Sequence, residues 1–421
     1  MLINEKTWDF IRKHADDNVK TLALKGVKDA DIDLTMALQQ IAGRQTARRK
    51  LPSWAEVEGV VYPPHLNLEQ CSSEQTARYK AKIAGEGDSM VDLTGGFGVD
   101  FYWMSQGFQH RQYVEQNEAL CAISSENFQL LGLACTVSCC DTATFLTEME
   151  PANLIYLDPA RRNEHGGRTY GIEDCSPNVL ELLPLLLSKA DRVMLKLSPM
   201  LDWRKAVEDI QKVKNSSQEP IATVHEVHIV SVDNECKELL MVLSKEHTDS
   251  LHLVCVNNDS VFDIVRTGRT ESPLTSDCES ALVGLGVRSC RTTNGQGEHR
   301  WPPYLYEPNA SIMKAGCFAE LETRFTVQQV SANSHLFLSV HEIKDFPGRS
   351  FQILSISSMN KQELRQSLEV IQQANITVRN FPLSAEQLRK KLHLKDGGDI
   401  YIFATTLASG AHKLFICRKI G

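Results

Sequence analysis

The chain predicts an α/β fold: a seven-stranded sheet of five parallel strands closed by an antiparallel hairpin, a helical region before it and small α+β modules after it. Three observations predict it. Between residues 90 and 197, short apolar runs alternate with helix-period segments, the pattern of a parallel sheet covered on both faces. The first run leads into Val91-Asp92-Leu93-Thr94-Gly95-Gly96-Phe97-Gly98-Val99-Asp100, an acid followed by a glycine-rich turn and a helix start. Two later apolar runs, 226–232 and 238–243, are joined by Asp233-Asn234-Glu235, a hairpin signal.

Residues 1–68 read as helical. A short amphipathic segment covers 7–14, and a longer one covers 29–49, with Ile32, Leu34, Leu38 and Ile41 at helical spacing. Arg44, Arg48, Arg49 and Lys50 fall near its C-terminus, where cations suit the helix dipole. Contact with a nucleic-acid backbone is the alternative for this cluster. Pro52, Pro63 and Pro64 then break the chain into loop. Ser72 and Gln75 fit a capping box for a helix running through Ala84.

The sheet domain is expected over 69–248. Its strands fall at 90–93, 112–115, 136–139, 154–157 and 192–197, with helices at 121–131 and 179–189 between them. Beyond it, 249–344 reads as connecting loops and a small module, with 267–300 rich in Ser, Thr, Gly and Arg. There, 304–316 reads as a turn into a short helix, and 325–330 and 336–340 as strands. The last module, 345–421, alternates a strand at 346–356, a helix at 361–374, a strand at 376–380, a helix at 384–392 capped by Ser384 and Gln387, and paired strands at 400–405 and 413–417.

Composition excludes several classes. At 421 residues with 42% hydrophobic content, the chain suits several globular cores. The start lacks an apolar segment of secretory type, and no apolar run spans a bilayer, so a cytoplasmic protein without a membrane partner is expected. The twelve cysteines include no CxxC pair, which argues for free thiols rather than disulfides or a metal site. The formal charge is -8, but residues 346–421 hold 11 Lys and Arg against 5 Asp and Glu, a balance of +6 that leaves -14 on the remainder. A basic end on an acidic body suits a polyanion partner held at that end, and equally an ordinary solvated face.

Candidate site residues cluster at strand ends. Asp92, Thr94, Gly95, Gly96 and Gly98 follow the first strand, Glu115 closes the second, Asp141 follows the third, and Asp158-Pro159-Ala160-Arg161-Arg162 follows the fourth. In an open α/β sheet the ligand sits at these carboxyl ends. Glycines there let the backbone take positive φ and approach a ligand closely.

This series resembles the class I S-adenosylmethionine-dependent methyltransferases, a Rossmann-like family whose sheet also ends in a hairpin. The resemblance implies S-adenosyl-L-methionine as cofactor. Asp92, Thr94, Gly95, Gly96 and Gly98 would meet its methionine part, Glu115 its ribose and Asp141 its adenine. Asp158, Pro159 and Arg161 would form the catalytic loop, with Arg162 beside them on the substrate. Amino-group methyltransferases of nucleic-acid bases carry two prolines and an aromatic in this loop, where this chain has Pro159, Ala160 and Arg161. C5-uracil RNA methyltransferases carry a similar Asp-Pro-Ala-Arg loop, but they need a cysteine in a later Ser-Cys-Asn-Pro turn. Here that turn is Lys196-Leu197-Ser198-Pro199, so direct transfer without a cysteine nucleophile is implied.

The segments Asn375-Ile376-Thr377-Val378-Arg379-Asn380-Phe381-Pro382-Leu383 and Leu394-Lys395-Asp396-Gly397-Gly398-Asp399 resemble a THUMP-like domain. Tyr306-Glu307-Pro308-Asn309-Ala310 resembles the ferredoxin-like module found with it. Such domains accompany RNA-modifying enzymes, which implies a tRNA or rRNA substrate. Arg379, Lys390 and Lys391 would contact its phosphates. A protein or small-molecule acceptor, or a non-catalytic scaffold, stays open.

Overall fold

A computed structural model describes residues 3–161, 171–267, 292–293 and 299–420. The chain divides into two compact units: Met1–Val227 with Glu238–Leu251, and His228–Lys237 with His252–Gly421.

The first sheet is built from β1 (Gly87–Asp92), β2 (Phe108–Glu115), β3 (Thr136–Cys139), β4 (Ala152–Leu157), β7 (Ala190–Leu197), β8 (Thr223–Val232), β9 (Glu235–Ser244), β10 (Ser250–Asn257) and β11 (Ser260–Thr267). Two-residue strands β5 (Ala160–Arg161) and β6 (Cys175–Ser176) pair only with each other. The order is β11-β10-β8-β9-β7-β4-β1-β2-β3. The seven strands expected from sequence are therefore nine. The two extra strands meet around Asn258, at φ +52, and β11 alternates buried Phe262 and Ile264 with exposed neighbours. That period of two lies beyond 248, where the sheet was expected to have ended.

The five parallel strands and the β8–β9 hairpin stand where the sequence puts them. β4 and β7 are buried along most of their length, as parallel strands covered on both faces must be. Asp233 and Asn234 both take positive φ, +51 and +63, the backbone of a tight two-residue hairpin turn. From β1 the chain runs outward to β2 and β3, then returns to the other side of β1 as β4 and continues to β7. The direction of winding reverses between β1 and β4. In open α/β sheets, ligands bind at the carboxyl ends of strands where the winding reverses.

The N-terminal region is helical, as expected, with helices Glu5–Lys13, Val19–Lys25, Leu34–Lys50, Pro52–Glu56 and His65–Gln70. The long helix starts later than its apolar spacing suggests, because Asp33 caps it by accepting from the Met36 amide. Pro52 does not lie in a loop: it opens a helix at its first position, where the missing N–H costs nothing. Ile41, Trp54, Val61 and Leu68 pack in one cluster with Phe97, Val99 and Ile123 from beyond β1. Two buried carboxamides fix the extended link between. Asn127 accepts from the Val61 amide at 2.8 Å and donates to its carbonyl at 2.9 Å. Gln40 does the same for Tyr62, at 2.7 and 2.9 Å.

In the second unit, β12 (Thr292–Thr293) pairs with β13 (His299–Arg300); the rest of 268–298 lies outside the described residues. A seven-stranded sheet follows: β14 (Tyr304–Pro308), β15 (Gln328–Gln329), β16 (Phe337–Ser339), β17 (Gly348–Ser357), β18 (Asn375–Arg379), β19 (Ile400–Thr406) and β20 (His412–Ile420). Its order is β15-β16-β14-β17-β20-β19-β18. Helix Ala385–Leu392 carries the expected Ser384–Gln387 capping box. Helix Lys361–Leu368 stops short of 374. Residues 304–308 are a strand rather than a turn, since Leu305 and Tyr306 pair on both sides. Phe325 ends a helix instead of starting a strand, with Thr326 at φ +51 closing it.

Asn127→Ala removes both partners of a buried backbone unit. At about 1–3 kcal/mol for each buried group left unsatisfied, urea denaturation is expected to show a loss of roughly 2–6 kcal/mol.

Candidate active site

The glycine-rich loop is shaped from beneath. Gly95 donates to the Val114 carbonyl at 2.8 Å, and a Cβ there would fall 2.1 Å from the Tyr113 ring. Gly98, at φ +80, lies against Phe128, which a Cβ would meet at 2.5 Å. These two glycines answer to packing. Gly96 differs: its φ is +56, yet a Cβ would meet nothing closer than 3.9 Å, so its outer face is open. Its carbonyl accepts from Tyr113 Oη at 2.5 Å and its amide donates to Glu115 Oε2 at 2.8 Å.

The strand-end residues are cross-linked. The Asp158 amide donates to Thr94 Oγ1 at 2.7 Å, and Thr142 Oγ1 donates to the Leu93 carbonyl at 2.7 Å. Asp92 is 1% exposed and accepts from the Thr94 amide at 2.9 Å. Burial drives its proton affinity well above the ordinary carboxylate level, and the nearby Asp100, Asp158 and Glu115 charges add to this. Glu115 is already engaged, holding Gly96 through one oxygen and the Asn117 amide through the other at 2.8 Å. Asp141 caps helix Thr142–Glu148 through Oδ1, accepting from Ala143 and Thr144.

Asp158 stands just past β4. In the parallel register, Leu157 pairs with Leu195, so Asp158 and Lys196 are the next neighbours along the ladder. Lys196 Nζ donates to Asp158 Oδ2. The carboxylate is 37% exposed, and among the described residues Oδ1 receives no hydrogen bond. Low-dielectric surroundings raise its proton affinity, and the Lys196 ammonium opposes that rise.

Behind this pair lies a buried charge cluster. Lys80 is 0% exposed and contacts Asp100 at 3.1 Å, Ser72 Oγ at 3.0 Å and Glu238. Asp100 also accepts from Tyr156 Oη at 2.8 Å and lies 3.8 Å from Lys196. Burial penalises the Asp100 charge, but Lys80, Lys196, Ser72 and Tyr156 outweigh it and hold its carboxyl below the usual range. Burial likewise disfavours the Lys196 charge, and Asp158, Asp100 and Glu238 reverse the balance and raise its affinity for the proton.

Sequence reasoning missed this cluster. It assigned Ser72 to a capping box, but the cap is Ser73, which accepts from the Thr76 amide; Ser72 is buried against Asp100 and Glu238. The available signal was charge inside apolar periodicity. Lys80 shares a helix stripe with Ala77 and Ala84, and Lys196 interrupts Val193-Met194-Leu195 and Leu197.

Of the other expected site residues, Pro159 is buried next to Asp158, Arg161 has its backbone in β5, and Arg162 lies outside the described residues. Arg379 is in the second unit, with its guanidinium on the buried Glu307 carboxylate at 2.9 Å, which also holds Arg349. Lys390 pairs with Glu386 at 2.8 Å, and Lys391 is exposed. The basic cluster of the long helix makes local contacts: Arg48 meets Asp16 at 2.6 Å, Arg44 the Ala55 carbonyl at 3.2 Å, and Lys50 the Leu68 carbonyl at 2.8 Å. Among the described residues no group of His, Cys, Asp and Glu is arranged to hold a metal, the ten described cysteines are free, and no helix is long and apolar enough to cross a membrane.

Comparison with known proteins gives this geometry a context. Residues 304–347 match a ferredoxin-like domain family, and residues 348–419 match a THUMP domain-like family. The whole chain is similar to a solved structure from Porphyromonas gingivalis W83, described as a "putative methyltransferase". The identity is 29%, all of both chains is covered and the TM-score is 0.80. A solved structure from Listeria monocytogenes, described as a "putative class I S-adenosylmethionine-dependent methyltransferase", matches 60% of this chain and 94% of its own at 11% identity. Its TM-score of 0.38 is too low to bear on the fold. Curated proteins give no match. Residues 304–419 thus match a ferredoxin-like domain followed by a THUMP-like domain.

Buried Asp92 gives a pH signature. Unfolded, its carboxyl ionises near the ordinary 3.8; folded, it keeps its proton to higher pH. Above 3.8 the folded state therefore binds more protons, and its stability falls as pH rises to the folded value. Asp92→Asn is expected to flatten this decline. Denaturation midpoints of the two proteins between pH 4 and pH 8 measure the difference.

Proposed function

We propose that the protein transfers a methyl group from S-adenosyl-L-methionine directly to a base of a tRNA or rRNA, without a covalent enzyme–base bond. The observation that carries this reading is Asp158. It is anchored by Thr94 and Lys196 at the winding reversal beside the glycine-rich loop, with one carboxylate oxygen left for a substrate.

The residues present fit the cofactor. Gly96 offers an open cradle, and the acceptor-only carboxylates of Glu115 and Asp141 suit a diol and an amine. Bound there, the cofactor supplies a methyl group made electrophilic by its sulfonium. Buried Asp92 would shape the loop through the Thr94 amide, and Glu115 would hold the ribose hydroxyls, with Thr94, Gly95, Gly96 and Gly98 as the backbone cradle and Asp141 at the adenine. Asp158 would accept a hydrogen bond from the target nitrogen and then its proton. Most of the acceleration would come from alignment of nucleophile and methyl group. Leu197 is apolar and buried, so its turn provides no thiol for attack on a base.

The RNA part of the proposal is supported by the THUMP-like match and the basic balance of residues 346–421. A protein or small-molecule acceptor is the second reading. The engagement of Arg379 and Lys390 in internal ion pairs favours it, because it leaves fewer cations for phosphates.

Purified protein incubated with methyl-labelled cofactor and total RNA from a strain lacking the gene should label one RNA class. Asp158→Asn should lower transfer by about 10²–10⁴-fold, the range for a positioned acid–base group, with cofactor affinity by calorimetry unchanged. Full transfer in that variant removes Asp158 from the mechanism. Labelling of protein or small molecules alone selects the second reading.

A further inference from the structure

We propose that Lys196 is the positioning residue that keeps Asp158 ionised and aimed, and that the buried Lys80 cluster exists in part to leave Lys196 free for that task. The inference rests on the reading of Asp158 as the proton acceptor.

Geometry comes first. Asp158 and Lys196 are adjacent in a parallel ladder, so backbone register alone brings their side chains to one place. Lys196 is 12% exposed, its Nζ on Asp158 Oδ2. The Asp158 amide is held separately by Thr94 at 2.7 Å. With backbone and Oδ2 both fixed, rotation of the carboxylate is restrained, and among the described residues Oδ1 receives no hydrogen bond.

Electrostatics then require a second cation. Lys196 has an alternative partner in Asp100, 3.8 Å away, and Glu238 belongs to the same buried cluster. A lone buried lysine beside these carboxylates would be drawn from Asp158. Lys80 prevents this by meeting Asp100 and Glu238 itself, with Ser72 and Tyr156 supplying hydroxyls. The groups facing Lys196 are thus Asp158, Asp100, Glu238 and Lys80, and Cys71 adds a thiol whose proton affinity burial raises to about 11. A neutral thiol adds no charge at physiological pH.

The consequence for transfer is a fixed order of proton movement. With the cofactor bound, the lone pair of the base nitrogen would bond to the methyl carbon it supplies, and the electron pair of the broken C–S bond would remain on sulfur. Asp158 Oδ1 takes the N–H proton and passes it to water. Lys196 keeps its proton throughout and holds Oδ2 against the swing that proton uptake would otherwise allow.

The test uses the full chain labelled with [γ-¹³C]aspartate, the Asp158 signal being identified by its absence in Asp158→Asn. In Lys196→Met the midpoint of the Asp158 titration should move up by about one to three pH units, the effect of one adjacent opposite charge. Lys196→Arg should restore most of the shift. A midpoint unchanged in Lys196→Met overturns the proposal. So does a Lys196→Arg variant that remains as shifted as Lys196→Met while retaining wild-type melting and cofactor affinity. If Lys196→Met does not fold, the Lys196→Arg comparison with wild type stands, expecting a midpoint within about one pH unit, while a larger shift overturns the proposal. The titration needs no turnover. Failure to methylate any acceptor therefore counts against the proposed function and leaves the result for this pair intact.

Discussion

A charge removed from water must be met by another, and the carboxyl end of the first sheet is organised by that rule. Lys80 is fully enclosed, and a buried ammonium without partners would cost several kcal/mol. It draws in Asp100 from the helix after the glycine loop and Glu238 from β9, and the Ser72 and Tyr156 hydroxyls donate to Asp100 Oδ2. One side chain thereby ties the helix Glu74–Ala84, the glycine-loop helix and the returning hairpin to a common point. Lys196 and Asp158 lie at the edge of this cluster, where it opens to solvent. Replacing such a cluster with hydrocarbon would often cost little stability.

Legibility in the sequence followed the strength of local signals. The parallel strands and the β8–β9 hairpin were readable because an apolar run bounded by turn residues has few alternatives, and Asp233-Asn234 allows a positive-φ turn. The candidate site was readable at strand ends, since Asp92, Glu115, Asp141 and Asp158 each follow an apolar run. What that reading could not reach was pairing across distance. Glu238 lies 158 positions from Lys80, and nothing local marks them as partners. Arg379 has the same character: as a basic residue on a basic module it suggested phosphate, but β18 brings it to Glu307 of β14. The β10–β11 strands were missed for a different reason. Their alternation is present, but it follows the point where composition turned looped.

Glu307 illustrates how the second unit treats its own charges. It is 3% exposed and serves two guanidiniums at once, with Arg349 bonded through Nε at 2.8 Å. A single buried acid between two arginines leaves one positive charge in excess, spread over two planar groups that are each roughly a third exposed (39% and 34%). The two planar guanidiniums hold the carboxylate in one orientation.

The carboxamides of Asn127 and Gln40 have a consequence for how the molecule comes apart. Each presents one donor and one acceptor to a single residue, as a neighbouring β-strand would, so Val61 and Tyr62 are hydrogen-bonded without belonging to any sheet. Asn127 sits on the helix after β2, and Gln40 on the long N-terminal helix. The link is therefore riveted to the sheet layer on one side and to the helical layer on the other. Neither layer can open locally without stripping the same short stretch of its partners. Their amides should exchange with solvent as one cooperative block, and the helices that precede the sheet are part of its folding unit rather than an appendage to it.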